Sequence, residues 1–284
     1  MNEQKIPGLL GKGGWFLLII LPIIIGFLIS FLIPRPIIGV INLNDAIYDL
    51  TAKEMVTQLT YAYDHPEVRA VIISLNSPGG TVTDTEAIFL EIARLRQKKP
   101  VITLIGGMAA SGAYYLSVGT DFIIANPSSE VGNVGVWNYL PYPPSIEEDL
   151  YSTGPYKLWG SPRDTVIREM EMIKEGFLQA VILGRGDSLK VKKEEILRGQ
   201  IYPGAEALRM GLIDALGSQS LAYEKAAELA FIRHYQVSDL RELSGLTTIN
   251  SFPFFLTAPD GGTTPYPNES GIFLLYIPSL EKRQ

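Results

Sequence analysis

The sequence predicts an α/β fold built on a parallel sheet and preceded by one N-terminal transmembrane helix. Three observations predict it. Short unbroken runs rich in isoleucine and valine recur along the chain, stretches with helical caps and periodicity separate them, and a nineteen-residue stretch without a charge stands near the N-terminus. Strands buried on both faces read as continuous apolar runs. Their alternation with helices implies βαβ units and right-handed crossovers.

The uncharged stretch, WFLLIILPIIIGFLISFLI, covers residues 15–33 and comes after a short segment, 1–14. As a helix rising ~1.5 Å per residue it spans roughly 28 Å, about the hydrocarbon thickness of a bilayer. It runs into LIPRP rather than the small-x-small site of a cleaved signal peptide, so it reads as a retained anchor. Lys5 and Lys12 precede it and Arg35 comes after it. That bias places the N-terminus in the cytoplasm, making a single-pass protein of the cell membrane with its bulk outside.

PIIGVINL (Pro36 to Leu43), AVIISL (Ala70 to Leu75), PVITLI and DFIIA are the expected strands. Thr51 with Glu54, and Thr83 with Glu86, have the spacing of capping boxes and predict helices that start there. Ile88, Ile92 and Leu95 share one face of the second helix. After Arg163, Val166, Met170, Ile173, Phe177 and Val181 form one stripe of a long helix. The tail after Gly245 loses periodicity and reads as loop; the expected division is a domain over residues 36–232 and a C-terminal extension over 233–284. Within that extension GIFLLYIPSL (271–280) is apolar but too short to span a bilayer. An exposed apolar strand is adhesive, so it is expected to dock as an extended, substrate-like strand beside a groove.

Composition removes several chemistries. The chain has 284 residues, no cysteine, two histidines and a net charge of −6. No thiolate nucleophile or sulfur-ligated metal exists, no metal or cofactor is expected, and the net negative charge argues against nucleic acid, whose binding rests on clustered lysine and arginine. Ligands of α/β folds sit at strand ends, and two such ends stand out. LNSPGG (Leu75 to Gly80) comes directly after a strand, and its paired glycines leave amide N–H groups open to a ligand; an ordinary tight turn reads the same way. MAASGAYYLS (108 to 117) sets Ser111 at the next strand-to-helix turn, where core packing is the plain alternative. Neighbouring parallel strands bring the turns together. Ser111 is then a nucleophile beside an oxyanion hole from Gly79 or Gly80 and Gly112.

A nucleophilic serine needs a base. His65 precedes a proline at the opposite end of its strand, and His234 lacks a partner pattern, so both read as loop residues. Lys157, in STGPYKLWGSP, lies among Tyr156, Leu158 and Trp159; apolar surroundings favour a neutral amine. A lysine stem snorkelling under a tryptophan fits equally.

SLNSPGGTV, KKPVITLIGGMAASGAYYLSVGTDFIIANP, VGNVGV, GPYK and GQIYPGAEALRMGLIDALGS stand in an order that resembles the signal peptide peptidase A family, from Ile37 to Ala230. The resemblance implies a ClpP/crotonase-like fold of repeated ββα units and a Ser111–Lys157 dyad. It also implies an oxyanion hole at the SPGG turn and Gly112, a homo-oligomer, and serine endopeptidase action on membrane-derived peptides such as signal-peptide remnants. Ala113 replaces a glycine usual in the family. Asn133 stands where a serine usually orients the lysine amine. An acyl-CoA enzyme of the crotonase type, with Glu130 as its acid-base group, and an inactive membrane scaffold are the alternatives. The proline-rich stretch before Lys157, NYLPYPPSIEEDLYSTGP, could carry the lysine to a neighbouring chain.

Overall fold

A computed structural model of the chain describes residues 12–32, 35–141, 152–157, 160–246, 255–257, 263–265 and 273–275. Helix α1 (Lys12–Leu32) leads into strand β1 (Ile37–Leu43) and helix α2 (Asp49–Asp64). Strand β2 (Val68–Ser77) runs on to the short β3 (Gly79–Thr81) and helix α3 (Val82–Arg96), and β4 (Val101–Ala110) to α4 (Gly112–Val118). Strands β5 (Phe122–Ala125) and β6 (Glu130–Gly132) precede the long α5 (Arg163–Arg185) and the short α6 (Lys193–Ile196). Then come β7 (Ile201–Pro203), α7 (Gly204–Met210), β8 (Ala215–Leu216), α8 (Gln219–Leu229), β9 (Gln236–Asp239) and α9 (Leu240–Leu243). The last elements are three short strands, β10 (Phe255–Thr257), β11 (Thr263–Pro265) and β12 (Phe273–Leu275).

The main sheet has the order β7-β6-β4-β2-β1-β9, with β5 also beside β4 and β8 beside β5. Every pairing in it is parallel except β6 with β7. This is the fold class the apolar runs predict. Ile41, Val71, Ile73, Val101 and Ile105 face one core with α2, α3, α4 and α5. Ile38, Ala70, Ile72, Ile102 and Leu104 face the other, where Ala222, Ala226 and Ala230 let α8 lie close to the sheet. Of the stripe on α5, Val166, Phe177 and Val181 are buried.

Strand β4 carries the bend that positions the site. Its first half pairs with β5 and its second half with β6. Against β2 the register jumps from Leu75↔Ile105 to Ser77↔Ala109, a bulge that leaves Gly106 and Gly107 exposed. Bulges swing a strand out of line and re-aim the residues beyond them. The carbonyls freed by the bulge are taken up by side chains. Ser129 Oγ donates to the Ile105 and Gly106 oxygens at 2.8 and 3.1 Å, and Asn126 Nδ2 donates to Gly106 at 2.9 Å.

Both helix starts lie earlier than the capping spacing suggests. Helix α2 begins at Asp49, so Thr51 sits inside its first turn, where its hydroxyl accepts from the Tyr48 N–H at 2.9 Å. Helix α3 begins at Val82, with Thr81 at its cap donating to Asp84. The spacing alone could not distinguish a cap from a threonine one turn in, because either places a hydroxyl near free N–H groups. The sheet also continues past residue 232: β9 pairs with β1 and Leu240 is fully buried.

Helix α1 overlaps the stretch 15–33 expected to be an anchor, and its described side chains, 18–28, are apolar and largely exposed. Among the described residues no helix is long and apolar enough to cross a membrane.

Candidate active site

Ser111 is the residue between β4 and α4. Its backbone lies at φ 53°, ψ −118°, a region that costs a non-glycine residue strain. The turn is held from both sides, by the Ser111 N–H donating to Gly132 at 2.8 Å and by its carbonyl accepting from Tyr115 at 2.9 Å. Its side chain makes no capping hydrogen bond to α4. The serine is thus 2% exposed at the start of a buried helix, on a sharp turn of the kind that presents a nucleophile.

The glycine turn lies against it. A Cβ on Gly79 (φ +93°) would fall 2.6 Å from the Gly112 nitrogen, and one on Gly112 would fall 3.3 Å from the Gly80 nitrogen. Only glycines let these backbones meet. Strand β3 is backed on one edge by Ile47, whose N–H donates to Gly79 at 2.8 Å and whose carbonyl accepts from Thr81 at 2.9 Å. Thr85, fully buried on α3, donates to Thr81 at 2.7 Å and packs against Gly112. Neither Ile47 nor Thr85 was singled out by motif. Thr85 does carry a weak signal, a hydroxyl one helical turn after a glycine pair.

The other edge of β3 is occupied. Strand β12 pairs with it antiparallel, with Leu274 opposite Gly80. A Cβ on Gly79 would sit 2.0 Å from the Leu274 carbonyl oxygen, and one on Gly112 would sit 3.0 Å from it. That oxygen therefore lies where the glycine backbones converge. Leu274, 1% exposed, lines a cavity of about 190 Å³ together with Glu86, Tyr115, Ile173, Gly176 and Phe177. Tyr115 stacks edge-on to Phe177 at 5.1 Å, and burial, then the Glu86 carboxylate, pushes its phenol pKa up. Residues 273–275 of the apolar tail thus lie as an extended strand beside the groove; the rest of 271–280 lies outside the described residues.

Ser111, Gly79, Gly80 and Gly112 come together; the remaining candidates do not. Lys157 stands exposed on a turn, its N–H donating to Gly154 at 3.1 Å, and among the described residues no hydrogen bond or ion pair joins it to Ser111. Of the apolar neighbours expected around its amine, Tyr156 is described and is itself exposed. Leu158, Trp159 and residues 142–151 lie outside the described residues. Asn133 adopts φ 56°, donates its amide to Gly199 at 2.7 Å and its backbone N–H to Gln200 at 2.8 Å. An asparagine suits that left-handed turn better than most side chains. Glu130 opens β6 opposite Met108. His65 stacks on Tyr61 at the far end of β2, and His234 is exposed. Among the described residues no group of His, Asp and Glu is placed to hold a metal.

Sheet, helices and the serine turn define an α/β protein of ClpP-like type. The family model described as Clp protease matches residues 38–131, and that described as Peptidase family S49 matches residues 93–233. Protease 4 of Haemophilus influenzae is 32% identical over 213 residues, 68% of this chain and 34% of its own. A Synechocystis sp. relative with protease in its name is 30% identical over 215 residues, 69% of this chain and 75% of its own. Serine protease SPPA, chloroplastic, of Arabidopsis thaliana is 29% identical over 213 residues, 70% of this chain and 32% of its own. The matched region is thus about a third of the Haemophilus and Arabidopsis proteins. This chain belongs to peptidase family S49, the signal peptide peptidase A family its motifs resemble.

Proposed function

We propose that the chain is a membrane-anchored serine endopeptidase in which Ser111 is the nucleophile and Lys157 of an adjacent chain the base. The observation that carries this reading is the strained Ser111 turn beside Gly79, Gly80 and Gly112, with a peptide carbonyl already lying among them. In the reaction Ser111 Oγ adds to the carbonyl carbon and its proton passes to the neutral lysine amine. The oxygen that gains negative charge is held by N–H groups of the glycine turn and Gly112. Each such donor contributes several kcal/mol to the transition state. Collapse transfers the proton to the leaving amine, and water then releases the acyl group by the same route.

Exposure of Lys157 in the single chain favours its supply in a homo-oligomer, where a neighbour would bury it. The Asn133 carbonyl oxygen would orient its amine. Consecutive apolar side chains exposed around α1 support a membrane span with the N-terminus cytoplasmic and the peptidase domain outside. Substrates would be apolar peptides such as signal-peptide remnants, bound extended along β3. The extension after residue 232 would supply β9 to the sheet and β12 to the groove.

Labelling of the full chain with a fluorophosphonate, then mapping of the modified residue, tests this. Modification at Ser111, abolished in Ser111→Ala together with peptide-ester hydrolysis, is the expected result. No labelling of an assembled chain would replace the reading with an inactive membrane scaffold, and acyl-CoA thioester turnover with the Glu130 alternative.

A further inference from the structure

The end of the sheet where the strands begin holds a side chain that its own backbone opposes. Helix α8 closes with the Phe231 N–H donating to Glu228 at 3.1 Å and the Ile232 N–H donating to Ala227 at 3.0 Å. This leaves Phe231 at φ 54° just past the cap. Glycine is the usual residue there, since a left-handed backbone crowds a Cβ. The phenyl ring recovers nothing by packing within the chain, for Phe231 is 95% exposed.

The surface beside it is basic. The turn after α8 feeds β9, whose Gln236 N–H donates to Pro36 at 2.9 Å and pairs with Ile37 at the start of β1. Only four residues separate Ile37 from the end of α1. Arg35, Arg69, Lys98 and Arg233 are exposed at the same strand beginnings. Lys98 lies 3.5 Å over the Tyr63 ring, and Lys99 donates to the His65 carbonyl at 2.6 Å. Among the described residues none of these five cations is paired with a carboxylate. A shallow cavity of about 510 Å³ adjoins them, lined by Lys98, Lys99, Arg96 and Lys225. Arg96 pairs with Asp121, Lys225 with Glu228, and Arg94, over the same Tyr63 ring as Lys98, with Glu91; Asp64 and Glu67 are further acids nearby. Positive charge is gathered here on a chain whose net charge is −6.

We propose that this end is a membrane-facing surface that docks on anionic phospholipid headgroups, with Phe231 inserted at the interface. The placement rests on α1 as the anchor, which leaves this end facing the bilayer. An aromatic ring among lysines and arginines is the chemistry that headgroup regions hold, the ring at the interface and the cations against phosphate.

Absence of cysteine makes single-site labelling direct. Nitroxides are attached to full chains carrying Phe231→Cys, Leu21→Cys or Leu183→Cys in nanodiscs of phosphatidylcholine, with or without phosphatidylglycerol. Accessibility to oxygen against a water-soluble nickel chelate is then read. The probe at 231 is expected to shift severalfold towards lipid in the anionic discs and to return to water in a Lys98→Glu/Arg233→Glu background. The probe at 183, exposed on α5, should stay aqueous. A probe at 231 as aqueous as that at 183 overturns the proposal. With the Leu21 probe in lipid, that result leaves the anchor standing. A Leu21 probe in water with 231 still answering to anionic lipid removes the anchor and keeps the surface. Phe231→Gly, which suits the turn, should fold fully and loosen this surface's contact with the anionic discs without losing peptide-ester hydrolysis.

Discussion

Replacing Ser111 by glycine should destroy activity and raise stability at once. At φ 53°, ψ −118° the serine occupies a sparsely populated region, and such residues cost about 1–3 kcal/mol each. Glycine removes that strain but loosens the unfolded chain, which returns about 0.4–1 kcal/mol. Both backbone hydrogen bonds at the turn, to Gly132 and from Tyr115, survive the change. The balance is a gain of about 1 kcal/mol, or roughly 2–4 °C in melting temperature for a domain of this size. Alanine at the same position keeps the Cβ and the strain, so Ser111→Ala should melt close to the parent. Thermal unfolding of the three full-length proteins in one lipid preparation gives the order, and a peptide ester confirms that both variants are inactive. A glycine variant that melts below the alanine variant would refute a strained serine turn.

Removing the tail after Gly262 should raise turnover of an added peptide, because β12 occupies the β3 edge beside Ser111; unchanged turnover accompanied by aggregation would make the tail an edge cover alone. Co-expression of Ser111→Ala and Lys157→Ala chains should restore part of the activity if the dyad forms between chains, and none, with mixed assembly verified by tags, if it forms within one. Burial pushes the Tyr114 phenol far above its ordinary pKa near 10, while its hydroxyl donates to the Leu212 carbonyl at 2.9 Å. Its contribution to stability is whole below the unfolded value of about 10 and is lost as pH rises beyond that towards the folded value. Tyr114→Phe should therefore flatten the alkaline limb of a stability profile while costing about 1–2 kcal/mol at neutral pH.

The strands were legible because a parallel sheet buried on both faces leaves little choice but unbroken Ile and Val. Ser111 and the glycine turn were legible for a different reason: backbones that meet as closely as Gly79 and Gly112 tolerate no side chain, and that restriction is written in the residue type. The exact helix starts were not, since Thr51 and Thr81 satisfy N–H groups or neighbouring side chains from different positions in the first turn. β9 escaped notice because QVSD at a sheet edge lacks the apolar run of a central strand. Lys157 marks another boundary. A motif names the residue but not its surroundings, and in the single chain Lys157 is exposed.

Strands β2 and β4 are each ten residues long. At 3.3 Å per residue a straight strand of that length measures about 33 Å, close to the thickness of a bilayer's hydrocarbon core. Both start at the basic end beside Phe231 and finish at the groove holding Ser111. If the basic end docks on lipid as proposed, the sheet acts as a spacer. With the basic end on headgroups, a membrane-derived peptide of the proposed substrate class could not be cut where it lies as a helix in lipid. It would first have to be drawn out and unwound, and only an uncoiled stretch could add itself to β3. Selection between peptides would then fall on how readily each leaves the bilayer and gives up its helical hydrogen bonds, more than on the few side chains beside the cut.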